Sequence, residues 1–293
     1  MHKAVKSPHL VATNGEFRFK DYKTTPPADA PDKEQCKLEL AQSIEHLAEL
    51  QNVLYAHDSQ SVLMIFQAMD AAGKDGTIRA VLSGVNPAGC EVYSFKQPSA
   101  IELDHDFLWR TSQCLPQRGR IGVFNRSYYE EVLAVRVHPE YLERQRLPWR
   151  PRTLHELWQQ RLESIREHEK HLARNGTVIL KFWLNVSRET QRDRLLERLD
   201  QPEKHWKFAS GDLVERALWK DYMEAYEDVL KETSSSWAPW YAIPADSKSY
   251  MRMVVADILV RTLQSLDLKY PSLKPEEEAE LGVMKKQLLK EKD

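Results

Sequence analysis

SVLMIFQAMDAAGKDGT, residues Ser61–Thr77, is an apolar run followed by a loop of small residues that ends in Gly73-Lys74. Val62, Leu63, Ile65 and Phe66 read as a buried strand, and Ala68 to Gly73 offers backbone N–H groups with little side chain in the way. Lys74 then stands at the start of a helix, whose N-terminus adds partial positive charge. Strand, small-residue loop and lysine in that order make a phosphate cradle. Against the P-loop pattern G-x-x-x-x-G-K-[ST] the spacing fits, with Ala68 in place of the first Gly and Asp75 in place of the Ser or Thr. Asp70 and Asp75 flank Lys74, so carboxylates for a hard cation lie beside a cation for phosphate. The same acids also read as an N-cap and a first-turn helix acid, and the two readings coexist.

Around this stretch the chain runs to 293 residues with 42% hydrophobic content, enough for a large core. The apolar runs fall well short of the roughly 20 residues that a membrane helix needs, and MHKAVKSPHLVATNGEF at the start has no apolar secretory core. Cys36, Cys90 and Cys114 are odd in number and far apart, which reads as reduced thiols in a cytoplasmic protein. A formal net charge of −2 argues against a nucleic-acid coat but leaves room for local anion sites.

Residues 1–31 are polar and Pro-rich towards their end and read as an extended arm. Asp32-Lys-Glu-Gln35 reads as a capping box that opens a helix with Leu40, Ile44, Leu47 and Leu54 on one stripe. Further strands are expected at Glu91–Phe95, Arg120–Phe124, Thr177–Leu184 and Trp240–Ile243. Helices are expected at Thr77–Leu82, Ala100–Leu115, Thr153–Arg174, Ser187–Leu199, Val214–Leu230 and Tyr250–Leu266. Alternation of this kind gives an α/β fold, a parallel sheet covered by helices on both faces, with ligands beyond the carboxyl ends of the strands. Residues 271–293 form a charged tail, acidic then basic.

Three basic clusters follow the strands. Arg118, Arg120 and Arg126 lie within nine residues with no acid among them. A guanidinium fork suits phosphate oxygens, although Arg118 and Arg120 also read as the solvated face of a turn. Glu130 and Glu131 read as orienting acids or as first-turn helix acids. Arg194 and Arg198 share one helix face, and Lys204 and Lys207 follow in a polar segment, 198–212, that has cations and aromatics but no core periodicity. Such a segment reads as a lid.

AMDAAGKDGT, GRIGVFNRSYYEEVLAVRVHPEYL, PEKHWKFASGDLVERALWKDY and SSSWAPWYAIPADSK, in that order, resemble successive motifs of the family-2 polyphosphate kinases. The likeness spans about Ser61 to Leu266, and Asn125-Arg126-Ser127 resembles the class III branch, which phosphorylates both AMP and ADP. The resemblance implies a three-layer P-loop kinase fold with a helical lid, residues 32–270 forming the phosphotransferase domain. It implies inorganic polyphosphate as donor, AMP, ADP, ATP and guanine nucleotides as partners, Mg²⁺ or alternatively Mn²⁺ as cofactor, and a homo-oligomer. Mapped onto this chain, Asp70, Lys74, Asp75 and Arg126 are expected to be catalytic, with Asp70 and Asp75 on the metal. Ala71, Ala72, Gly73, Gly76, Arg118, Arg120, Arg194, Arg198, Lys204 and Lys207 are expected on phosphates, and Asn125, Glu130 and Arg136 on the nucleotide. Asn125 removes a carboxylate that many members have, so the metal falls to the two aspartates. An ATP-dependent nucleotide kinase on the same fold is the rival reading. A switch GTPase is disfavoured, because no Asn-Lys-x-Asp motif is present.

Overall fold

The computed structural model describes residues 1–207 and 211–291, apart from the side chains of Lys204, Trp206 and Lys207. The chain runs α1 (Lys33–His57), β1 (Ser61–Gln67), α2 (Lys74–Val81), β2 (Cys90–Ser94), α3 (Ala100–Leu103), α4 (Trp109–Ser112), β3 (Ile121–Asn125), α5 (Ala134–Val137) and α6 (Leu154–Arg174). It continues with β4 (Thr177–Asn185), α7 (Arg188–Asp200), α8 (Gly211–Ala217), α9 (Trp219–Thr233), β5 (Trp240–Pro244), α10 (Lys248–Gln264) and α11 (Pro275–Leu288).

The five strands form one parallel sheet in the order β2-β3-β1-β4-β5. Every residue of β1 is buried, as its unbroken apolar run requires of a central parallel strand. The register pairs Phe66 with Asn125, Ser94 with Asn125, and Asn185 with Pro244. All the carboxyl ends therefore meet on one rim. β1 lies between β3 and β4, where the strand order reverses, and the loop after it opens at that switch point. Helices α1, α2 and α10 pack together, while α5, α6 and α9 form a second group.

Local chemistry sets the boundaries. Asp32, Thr153 and Ser187 accept hydrogen bonds from Gln35 N, Glu156 N and Thr190 N and so cap α1, α6 and α7. Only half of the expected box at α1 forms, because the Gln35 side chain turns to Glu39 at 2.9 Å. The helix expected over 100–115 is instead two four-residue turns, α3 and α4. Asp106 accepts from Leu108 N at 2.9 Å, so a side chain competes for the backbone and breaks the helix. The helix expected from Val214 likewise divides at Leu218 into α8 and α9. The leading segment has little regular structure, yet it is pinned along the edge strand β5. Val11 N donates to Trp240 O at 2.9 Å, Ala242 N to His9 O at 2.8 Å, and Val11 and Phe17 are buried. That cover occupies an edge that would otherwise be open for pairing.

One charge sits inside the core. Lys181, in the middle of TVILKFWL, is fully buried, and its Nζ donates to Glu169 Oε2 (2.6 Å), Thr233 O (2.8 Å) and Tyr129 Oη (2.9 Å). The hydroxyls of Tyr128 and Tyr129 donate to the other oxygen of Glu169. Burial pushes Lys181 down to about 8 and Glu169 upwards, so for both groups desolvation outweighs their mutual attraction. Lys181→Met leaves Glu169 charged and unpaired, and should cost about 3–5 kcal/mol in urea unfolding. Adding Glu169→Leu should recover part of that loss. A Lys181→Met chain as stable as its parent would remove the ion pair from the energetics of this core.

Candidate active site

The loop after β1 is shaped by two left-handed residues, Ala71 at φ 60° and Gly73 at φ 111°. Gly73 is the N-cap of α2, and a Cβ there would stand 3.1 Å from Met251 Cε, so both its dihedral and its packing favour glycine. Asp70 is therefore not the helix cap that its sequence position allowed, while Asp75 does lie in the first turn. Lys74 Nζ donates to Ala68 O at 2.8 Å and Met69 O at 3.4 Å, which holds the ammonium at the mouth of the loop. Burial and then the charge of Arg126 push it down to about 8, against the pull of Asp70, Glu130 and Asp75.

The strand end of β3 faces this loop. Arg126 has φ 64°, a left-handed conformation that a branched cation does not adopt without cost. Its guanidinium spans two acids, NH2 donating to Asp70 Oδ1 at 2.7 Å and NH1 to Glu130 Oε2 at 3.1 Å. Glu130 above all, then Asp70, raises its pKa further and keeps it charged. Asn125 Nδ2 donates to Asp75 Oδ1 at 2.6 Å. Loop and strand end are thus tied twice, once through each aspartate.

Two spaces open from this junction, and Arg126 lines both. One is a cleft of about 760 Å³ over the loop, reached by Asp70, Gly73, Lys74, Gly76, Arg198 and Arg252. The other is a less polar cavity of about 470 Å³ walled by Phe95, Phe107, Tyr141, Leu147 and Arg161. Arg161 is buried, pairs with Glu131, and donates to Gln145 Oε1 at 2.7 Å, which closes the cavity floor.

The expected residues divide. Asp70, Ala71, Gly73, Lys74, Asp75, Gly76, Asn125, Arg126 and Arg198 line the cleft, and Glu130 lines the cavity. Arg194 also lines the cleft, but its guanidinium is engaged by carbonyls, Nη1 donating to Ala72 O (2.8 Å) and Ala71 O (3.3 Å) and Nη2 to Ala245 O (2.7 Å) and Asp246 O (3.2 Å). It braces the loop against the end of β5. Arg118 and Arg120 are not brought to this site. Arg118 donates to Ser59 O and Arg120 to Glu91 Oε1, at the amino-terminal ends of the strands. A five-residue strand separates them from the rim by about 16 Å. Arg136 pairs with Asp228 on α9 at 2.7 Å, away from both spaces. The side chains of Lys204 and Lys207, with that of Trp206 and all of Phe208, lie outside the described residues.

Sequence reading missed Lys96, Lys248 and Arg252, which also line the cleft. Lys248 and Arg252 are four residues apart at the start of the helix that follows β5, a spacing visible in the sequence.

A family model described as polyphosphate kinase 2 matches residues 30–271. The chain belongs to the polyphosphate kinase 2 family. It is therefore an enzyme of phosphoryl transfer. An ADP-polyphosphate phosphotransferase of Rhodopseudomonas palustris is 56% identical over 251 residues, covering 86% of this chain and 87% of that protein. An AMP/ADP-polyphosphate phosphotransferase of Meiothermus ruber is 46% identical over 264 residues, covering 90% and 94%. The crystal structure of polyphosphate kinase 2 from Arthrobacter aurescens TC1 superposes with a TM-score of 0.82 at 36% identity, covering 96% of this chain and 99% of that one. Among the described residues, no helix is long and apolar enough to cross a membrane.

The donor set of the cleft fits a hard divalent cation. Asp70, Asp75, Glu197 and Asp212 line it, and no group of three or more His, Cys, Asp or Glu among the described residues could form a full protein cage. A cation held there would take its remaining ligands from phosphate and water.

Proposed function

We propose that this polyphosphate kinase transfers the terminal phosphoryl group of inorganic polyphosphate to AMP and to ADP, reversibly and with Mg²⁺ or Mn²⁺. The observation that carries the reading is the place of Arg126, on the wall shared by the phosphate cleft and the apolar cavity. A polyanionic donor suits the first space and a nucleoside phosphate the second, with the transferring group between them at the guanidinium.

The acceptor oxygen is already ionised near neutral pH, so the site has no need of a strong general base. Catalysis rests on alignment and on neutralising charge on the transferring group. Backbone N–H groups of Ala71, Gly73 and Lys74 and the Lys74 ammonium hold donor oxygens, while the Ala72 N–H closes the loop on Met69 O. Arg126 bridges donor and acceptor, and Glu130 with Asp70 sets its plane. Asp70 and Asp75 would hold the metal, which when bound neutralises phosphate charge. Arg194 serves by fixing the loop, and Arg198, paired with Asp212 at 3.3 Å, stands on the wall of the cleft.

Polyphosphate carries about one charge per phosphate, so its binding should weaken with salt by counterion release. Arg198→Ala should raise KM for polyphosphate several-fold and flatten that salt dependence by about one contact, with kcat changed less. A lower melting temperature with KM unchanged would make Arg198 a structural residue.

The acceptor range is tested by a time course. Starting from AMP and excess polyphosphate, ADP should appear first and ATP follow in the same vessel. AMP left untouched while ADP reacts would restrict the enzyme to ADP and leave polyphosphate as donor.

A further inference from the structure

Arg126 holds a left-handed backbone, and so costly a conformation persists only where its surroundings over-determine it. On one side its N–H donates to Phe66 O at 3.0 Å. On the other the chain enters the 3-10 helix Tyr128–Val132, which Ser127 caps by accepting from Tyr129 N at 3.1 Å. The same helix carries Glu130, the acid on Arg126 Nη1. The hydroxyls of its first two residues converge on one buried oxygen. Tyr128 Oη and Tyr129 Oη donate to Glu169 Oε1 at 3.0 and 2.8 Å, and Lys181 Nζ donates to the other oxygen, Oε2, at 2.6 Å.

An apolar set of similar volume would hold this part of the core at least as well, because desolvation of a buried ion pair offsets most of its attraction. What the polar set adds is direction. A satisfied buried network admits one arrangement, so two hydroxyls on one oxygen fix where the helix starts and how Arg126 enters it.

We propose that Glu169 is a positioning residue for phosphoryl transfer, holding Arg126 and Glu130 in place through Tyr128 and Tyr129. Lys181 keeps the carboxylate turned towards the two hydroxyls. The effect passes through Arg126, and so rests on the place given to that arginine between donor and acceptor.

Turnover is read with Mg²⁺, ADP and polyphosphate at a temperature where circular dichroism shows each variant folded. Lys181→Met with Glu169→Leu removes both charges and regains part of the stability that Lys181→Met alone loses, so a merely structural pair would regain turnover with it. Instead kcat should stay about 10²-fold below the parent, the scale of a misplacement of about 1 Å, with KM for ADP and polyphosphate within about threefold. Tyr129→Phe keeps the ion pair and lines neither space, and should lower kcat by about tenfold. In an Arg126→Ala background Tyr129→Phe should cost nothing more, because groups that act as a unit are not additive. Parental kcat in Tyr129→Phe, or a loss of the same size in both backgrounds, overturns the positioning role and leaves Arg126 in the reaction. Parental kcat in Arg126→Ala itself overturns both.

Discussion

Arg126→Ala should lower kcat by about 10³-fold, the scale on which an arginine acts in phosphoryl transfer, with the fold intact. Two features set the size. The guanidinium reaches Asp70 and Glu130 through different nitrogens, so its plane is fixed before substrate arrives. It also lines both the cleft over the loop and the less polar cavity, and of the two cations that line both, Arg126 and Lys96, it is the one that spans Asp70 and Glu130. Arg126→Lys keeps a charge but loses the fork, and should still cost about 10²-fold. Arg126→Gly separates chemistry from strain. Glycine accepts φ 64° freely, so this variant should unfold about 0.5–1 kcal/mol later than Arg126→Ala while being equally inactive. Turnover within tenfold of the parent in both Ala and Gly variants would take Arg126 out of the reaction.

Asp70→Asn and Asp75→Asn should each lower kcat by about a hundredfold or more, the cost of removing one preorganised electrostatic element. They should differ in kind. Asp75 accepts from Asn125, whereas Arg126 is held by Asp70 and Glu130, so Asp75→Asn should act on metal affinity and be partly rescued by raised Mg²⁺. Asp70 also holds Arg126, so Asp70→Asn should respond less to added metal. Kinetics at limiting and saturating Mg²⁺ read both effects. Near-normal turnover of both variants at limiting Mg²⁺ would overturn the metal assignment.

How far the sequence reveals this site depends on whether its parts are local. The strand-loop-helix at Ser61–Thr77 is continuous in the chain, and the structure keeps its order, with α2 opening at Lys74. β1, β3, β4 and β5 show the apolar runs that a doubly covered parallel sheet demands, β2 at the edge does not, and the likeness to family-2 polyphosphate kinases holds. Arg118 and Arg120 illustrate what nearness in sequence hides. They precede β3, whereas Arg126 follows it, and a strand carries its two ends to opposite rims. Arg194 shares a helix face with Arg198, but nothing in the sequence says that carbonyls of the loop and of β5 await its guanidinium. The less polar cavity is less legible still. Phe95, Phe107, Tyr141 and Arg161 come from four separate segments, and only the packing of α4, α6 and the turns between them brings these together. The expected helix at 100–115 failed for a local reason, an aspartate that prefers a turn.

The central claim is that polyphosphate, not ATP, is the phosphoryl donor. Purified protein with Mg²⁺, ADP and polyphosphate, free of ATP at the start, should produce ATP in step with the shortening of the polyphosphate. The Arg126→Ala protein in the same mixture should produce almost none. Phosphorylation of nucleotides that proceeds from ATP and not from polyphosphate would contradict the account and make the protein an ATP-dependent nucleotide kinase.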